Sequence, residues 1–281
     1  MPHRAGPRAS AGATAAAERP TRITGSRGLA SPSTPAALGA ALLLGVAAVG
    51  WLLAGGPVAA AFGAAWLPDG PVVPVTGVLS GLVVAIDPGH GGFDPGVITD
   101  SGVVEADLNL AVSLKLRDIL VRAGAEVFLT RTEDRDLLQP GDSQRHGSAV
   151  RAELIRRVEA VKRAGADLLV SLHCNSFPSS VWRGAQTFYM PGAHPGGRFL
   201  AEAIQGELVR VTGETDRQPN GRQDIFLIRE TDAPAVVVEM GFLSNPRDLA
   251  LLQDPDYQHL IAMAIFFGIC RFVHQPPPGT A

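Results

Sequence analysis

From residue 81 onward the chain alternates short β-forming runs with amphipathic helical stretches, and this alternation limits the fold more than any other feature. Leu82 to Ile86 is an apolar run of strand length. Asp107 to Ala123 repeats Leu108, Val112, Leu116, Ile119 and Leu120 at helical spacing and stops at Gly124. Glu126 to Thr130 predicts a strand, Val150 to Ala164 a helix ended by Gly165, and Leu168 to Leu172 and Ala185 to Tyr189 two strands. Gly197 to Val211 predicts a helix, Ile225 to Ile228 and Ala235 to Val238 strands, and Tyr257 to Val273 a closing helix before Pro276, Pro277 and Pro278. This order implies a single α/β domain with a mostly parallel, mixed sheet and helices on both faces. Sheets of this kind bind ligands beyond the carboxyl ends of their strands.

The N-terminal third has a different composition. Residues 1–34 set Arg4, Arg8, Arg19, Arg22 and Arg27 against the single acid Glu18, among Ala, Pro, Ser and Gly. Such a segment cannot bury enough apolar surface to offset its ordering entropy and reads as a disordered basic arm. Residues 35–67 form an almost uncharged apolar run. Its first part, Ala36 to Ala54, is long enough to cross about 30 Å of hydrocarbon as a helix. Arginines before the run and Asp69 after it orient the arm to the cytoplasm and the rest of the chain outside. This predicts a transmembrane anchor. Ala59 and Ala61 also supply the small-residue pattern of a cleaved signal segment, which leaves a secreted form open. Residues 68–80 then read as a linker, 81–275 as the catalytic domain and 276–281 as a tail.

Charge and cysteine content narrow the chemistry. A formal charge of -3 without a basic cluster in the folded part argues against nucleic acid as the main partner. Cys174 and Cys270 form no C-x-x-C pair, which excludes a cysteine zinc knot. Both read as small buried apolar residues, and their pairing is not decided by sequence. The glycine-rich stretch after the first strand is not a dinucleotide fingerprint, because Asp94 stands where G-x-G-x-x-G needs its last Gly; no GK[ST] occurs either.

Polar residues gather instead at the predicted strand ends. VVAIDPGHGGFDPG places Asp87 and His90 past the first strand, LLVSLHCNS places His173 at the end of the third, and AVVVEMGFLSN places Glu239 at the end of the last. Glu105 sits near the N-terminus of the helix that follows the first strand, which opens on the same edge. Each has a bland reading: a strand-end His as a satisfied structural residue, Glu105 as an acid favoured by the helix dipole, the glycines as a plain turn. Glu239 resists one, because a carboxylate behind four apolar residues is buried and needs a strong partner. Together, two histidines and two carboxylates on one edge suit a catalytic zinc site, with three protein ligands, an open position and a proton carrier. A Cys174 nucleophile is disfavoured, because neighbours in a strand point to opposite faces and His173 is its neighbour. His3, His146, His194, His259 and His274 lack comparable context.

These segments resemble the zinc-dependent N-acetylmuramoyl-L-alanine amidase family (Amidase_3 type) from about residue 82 to 273. IDPGHGG, GVVEADLNL and SLHCNS match the family's zinc-binding motifs, and EMGFLSN matches its catalytic-glutamate motif. The resemblance implies that His90, Glu105 and His173 bind Zn2+ and that Glu239 is catalytic. TRTED, Arg157, GAQTFY and FLIRETDAPAVVVE are supporting matches. Within the family the chain looks most like the CwlD-type sporulation and germination amidases, which implies a role in muramic δ-lactam formation in spore cortex. It further implies peptidoglycan glycan strands with stem peptides as the substrate, and leaves room for an activator protein. Cys174, Met240 and the stretch QPGDSQRHGSAV depart from the family pattern. Two other classes stay open: a zinc carboxypeptidase acting within the stem peptide, and a non-catalytic membrane-anchored wall-binding protein.

Overall fold

The computed structural model describes residues 77–275. The predicted arm, the anchor and the tail lie outside the described residues. The chain order is β1 (Val83–Pro88), α1 (Glu105–Arg122), β2 (Glu126–Leu129), α2 (Asp142–His146), α3 (Ala149–Arg163), β3 (Leu168–Asn175), β4 (Gln186–Tyr189), α4 (Pro195–Thr212), β5 (Asn220–Gly221), α5 (Phe226–Glu230), β6 (Ala235–Phe242), α6 (Pro246–Gln253) and α7 (Pro255–His274). The six strands form one sheet in the order β2-β1-β3-β6-β4-β5. β2, β1, β3 and β6 run parallel, and β4 joins β6 antiparallel. The sheet is therefore mixed and mostly parallel, as expected.

Alternate residues of the central strands feed two apolar layers. Val84, Ile86, Leu168, Val170, Leu172, Val236 and Val238 face α1, α4 and α7. Ala85, Leu169, Ala235 and Val237 face α3 and α5. Each fully buried Leu, Ile or Val stabilises the fold by about 1.5–3 kcal/mol over an exposed one. The closing helix α7 is apolar and long enough to cross a membrane by composition alone. It is a core helix here: Ile261, Ala262, Ile265, Phe266 and Ile269 are buried in the first layer. Leu79 is buried in the same layer and Val78 O accepts from His274 Nε2, so the packed domain begins inside the stretch read as linker.

One local expectation is corrected and one element is added. Ile225 to Ile228, expected as a strand, is the entry to the helical turn α5. Leu227 and Ile228 are buried there against Val158 and Val161 of α3 rather than in the sheet. Helix α6 was not anticipated, although its signals are in the sequence. Asn245 accepts from the backbone of Arg247 and Asp248 as N-cap, and Pro246 occupies the first turn.

Candidate metal centre

The parallel strands and the start of α1 bring three predicted residues together. One donor atom each from His90, Glu105 and His173 lies within 4.8 Å of the others. His90 Nε2 and His173 Nδ1 each stand 3.2 Å from Glu105 Oε1. The Glu105 side chain is 3% exposed, whereas His90 is 24% and His173 26% exposed, so the cluster opens on one side.

Each member is held in place. Glu105 is the first residue of α1; its Oε2 accepts from Val97 N at 3.0 Å, and its Oε1 from Cys174 N at 3.1 Å and Asn109 Nδ2 at 3.4 Å. The first amides of α1 bond to the preceding loop, Glu105 N to Val97 O and Ala106 N to Pro95 O, which replaces a side-chain cap. Asp94, which sequence reasoning did not single out, lies 2.8 Å from His90 Nδ1 and leaves Nε2 to face Glu105. A carboxylate on the outer nitrogen of a ligand histidine fixes its tautomer and ring plane. Glycines supply the room: a Cβ on Gly89 would collide with the His173 ring, and one on Gly96 would meet Glu105 Oε2 and His90 Cδ2 at 2.7 Å.

His90 has φ +61°, the sole non-glycine residue with a left-handed backbone among the described residues. Such strain persists where the surroundings over-determine it, and it concentrates at functional sites. Two buried arginines do this. Arg157 of α3 donates to His90 O at 2.7 Å, Pro88 O at 2.9 Å and Asp87 Oδ1 at 2.7 Å. Arg131 donates to Pro88 O at 2.9 Å, Gly89 O at 3.0 Å and Ala106 O at 2.8 Å, joining the loop to the first turn of α1. Asp87, expected just past the first strand, is its penultimate residue. It lies under Arg157, Thr130 and Ser171 and stands outside the ligand cluster.

The electrostatics are those of a cation site. Burial opposes a charge on His90, but Glu105 and Asp94 outweigh it and raise its pKa to about 9. Burial likewise works against the Glu105 carboxylate, yet His173 and His90 hold it well below the usual range. Two imidazoles and one carboxylate, converging and open on one side, fit a divalent metal such as zinc.

Glu239 is the residue of β6 in register with His173 of β3. Its Oε2 is buried with no hydrogen-bond partner among the described residues. Burial, reinforced by Glu105, raises its pKa, so the carboxyl takes up a proton more readily than an exposed acid. An unpartnered carboxylate next to a cluster that could hold a metal is of the kind that exchanges a proton with water or a leaving group. Cys174 points to the opposite face, buried in the first apolar layer, and both cysteines are free. His194 caps α4 and His274 meets Val78 O, both structural roles. The stretch QPGDSQRHGSAV forms α2 around Asp142, which pairs with Arg145 and Arg156 away from the ligands.

Comparison with known proteins agrees with this geometry. Residues 84–271 match the family model described as N-acetylmuramoyl-L-alanine amidase. The chain is similar to the germination-specific N-acetylmuramoyl-L-alanine amidase of Bacillus subtilis, 37% identical over 194 residues, covering 69% of this chain and 81% of that one. Among solved structures it is similar to the CwlD amidase of Clostridioides difficile, determined with the GerS lipoprotein. That likeness has a TM-score of 0.64 and 37% identity, over 68% of this chain and 98% of the other. The catalytic domain of the amidase CwlV from Bacillus (Paenibacillus) polymyxa gives a TM-score of 0.59 at 34% identity, over 68% and 98%. The chain belongs to the N-acetylmuramoyl-L-alanine amidase family and is an amidase acting on peptidoglycan.

Proposed function

We propose that His90, Glu105 and His173 hold a zinc ion, and that Glu239 is the general base and acid for cleavage between N-acetylmuramic acid and L-alanine. The observation that carries this reading is the unpartnered Glu239 carboxylate in register with His173. Zinc held by this triad supplies Lewis acidity, polarising the amide carbonyl and easing loss of a proton from water. Glu239 takes the proton as the water oxygen adds to the amide carbon. It then gives that proton to the alanine nitrogen as the carbon–nitrogen bond breaks. Arg157, Arg131 and Asp94 keep His90 in position, and Asn109 and the Cys174 amide keep Glu105 in position.

In the cell we propose that residues 81–275 act as the catalytic domain outside the cytoplasm, tethered through the apolar segment 35–67 or secreted after its cleavage. A role in spore-cortex maturation and muramic δ-lactam formation is supported by the likeness to the germination-specific enzyme. The likeness to CwlD, determined with a lipoprotein, supports a lipoprotein partner.

The test is digestion of purified peptidoglycan with and without chelator, with products identified by mass spectrometry. Stem peptides beginning at L-alanine should appear only with zinc. Glu239→Ala should keep its zinc and lose on the order of 10²–10⁴-fold in rate, and His173→Ala should lose zinc. Near-normal turnover by Glu239→Ala, or full zinc in His173→Ala, refutes the corresponding assignment.

A further inference from the structure

The row that begins with His173 and Glu239 continues past them. Gln186 of β4 faces Glu239 across the antiparallel β4–β6 pair. Side chains so opposed share one face, with Cβ atoms about 5 Å apart. Gln186 Nε2 donates to Gln218 O at 2.8 Å, and its Oε1 accepts from Arg217 Nη1 at 3.1 Å. Arg217 Nε donates to Arg183 O at 2.8 Å. Its guanidinium lies 4.8 Å from the Phe242 ring centre and 5.6 Å from that of Trp182.

Charge sets this arginine apart from its neighbours. Arg183 and Arg247 pair with Glu214, and Arg222 pairs with Asp224. Arg217 has no carboxylate at ion-pair distance among the described residues, and its Nη2 has no hydrogen-bond partner there. A partly buried guanidinium stacked on two rings and held by two oxygens is pre-organised to receive an external carboxylate.

The reaction says which arm of the substrate arrives there. The carbonyl end of the scissile amide faces the metal ligands, and the amine departs toward Glu239, which protonates it. Gln186 and Arg217 lie beyond Glu239 on the side away from His173, under the departing peptide. That peptide carries free carboxylates, whereas the glycan presents neutral N-acetyl sugars and the lactyl carboxyl is tied up in the scissile amide. We infer that Arg217, oriented by Trp182, Phe242 and Gln186, binds a stem-peptide carboxylate and makes the enzyme selective for acidic over amidated stems. The inference rests on the assignment of Glu239 as proton donor to the leaving nitrogen.

The test measures kcat/KM of the zinc-loaded full chain on two soluble muramyl peptides, one with free stem carboxylates and one with those groups as primary amides. A single charge-assisted contact is worth on the order of 10- to 100-fold, so the wild type should prefer the acid by about that ratio. Arg217→Gln should bring the ratio close to one, mainly through KM, with zinc content and melting temperature held. Arg217→Lys should keep part of the preference, because it keeps the charge but not the two-pronged donor. A wild-type ratio near one, or an unchanged ratio in Arg217→Gln, overturns the inference and leaves the Glu239 assignment standing. Zinc-loaded wild type that cleaves neither substrate overturns both together.

Discussion

Arg157 ties stability to metal binding, and its removal separates the two effects. The side chain is 3% exposed and bonds to Asp87, Glu153, Pro88 O and His90 O. Arg157→Ala leaves the buried Asp87 carboxylate with the Thr130 and Ser171 hydroxyls alone. Removing one partner of a buried pair costs about 3–5 kcal/mol, and in a domain of this size each kcal/mol shifts Tm by about 2–4 °C, so Tm should fall by ~6–20 °C. In an Asp87→Asn background only Glu153, and no longer Asp87, is left as a stranded carboxylate, and the same change should cost ~1–3 kcal/mol less. Thermal melts of the four proteins, followed by circular dichroism, give this coupling. The same substitution frees the backbone of His90, whose φ of +61° depends on the Arg157 bond. Zinc affinity, measured by chelator competition well below both melting points, should drop by roughly 10–100-fold, as for other supports of metal ligands. A Tm shift under about 3 °C, or strict additivity with Asp87→Asn, refutes the energetic argument; wild-type zinc affinity refutes the positioning argument.

Two further outcomes follow from the same loop. Burial alone would raise the Asp87 carboxyl, but Arg157 and the hydroxyls of Thr130 and Ser171 outweigh it and hold the pKa at about 2. A folded pKa below the unfolded value of about 3.9 stabilises fully above pH ~5 and is lost as pH falls toward 2, a contribution of ~2–3 kcal/mol. Asp87→Asn should therefore show a flatter loss of stability between those pH values, and parallel curves for the two proteins would sink the assignment. Gly96→Ala puts a Cβ 2.7 Å from Glu105 Oε2 at a φ of +67°. It should lower zinc affinity at least tenfold while costing only about 1–2 kcal/mol of stability; calorimetric titration showing normal zinc binding would refute the role of the glycine.

The architecture and the convergence of His90, Glu105 and His173 were legible because they depend on periodicity and on strand ends. Long amphipathic repeats such as Leu108 to Leu120 identify a helix whatever its tertiary contacts, and residues such as His173 stand where an open α/β sheet presents ligands. Ile225 to Ile228 misled because four apolar residues carry too little period to tell a strand from a buried helical turn. Helix α6 was hidden by its motif: SNPRD holds an N-cap Asn, a first-turn Pro and an acid, but it directly follows the Glu239 strand. The support of the site was less readable. Asp94 is recognisable by its spacing of four from His90 within a glycine-rich turn, yet nothing local shows that it reaches Nδ1. Asn109, Arg131 and Arg217 act across 20 or more residues of sequence, for instance Asn109 on Gly89 O and Arg131 on the same carbonyl, and those pairings exist only once the sheet has formed.

Where the ligands sit also determines what metal removal does. His90, Glu105 and His173 lie at the rim of the sheet, whereas the two apolar layers between sheet and helices run the length of the domain. The core is thus assembled without the ligands, unlike small zinc domains whose folding free energy is metal binding. Chelation should abolish activity while leaving the helical circular dichroism at 25 °C intact. Stability should then change by mass action only: at a free zinc concentration ~1,000 times Kd the bound metal contributes about 4 kcal/mol, which at ~2–4 °C per kcal/mol lowers Tm by roughly 8–16 °C on removal. The drop should shrink as the reference zinc concentration is lowered toward Kd. If chelator instead unfolds the domain at 25 °C, the metal is part of the structural framework and the rim argument fails. If Tm is indifferent to zinc while activity still requires it, the metal binds elsewhere or too weakly for this triad to be its site.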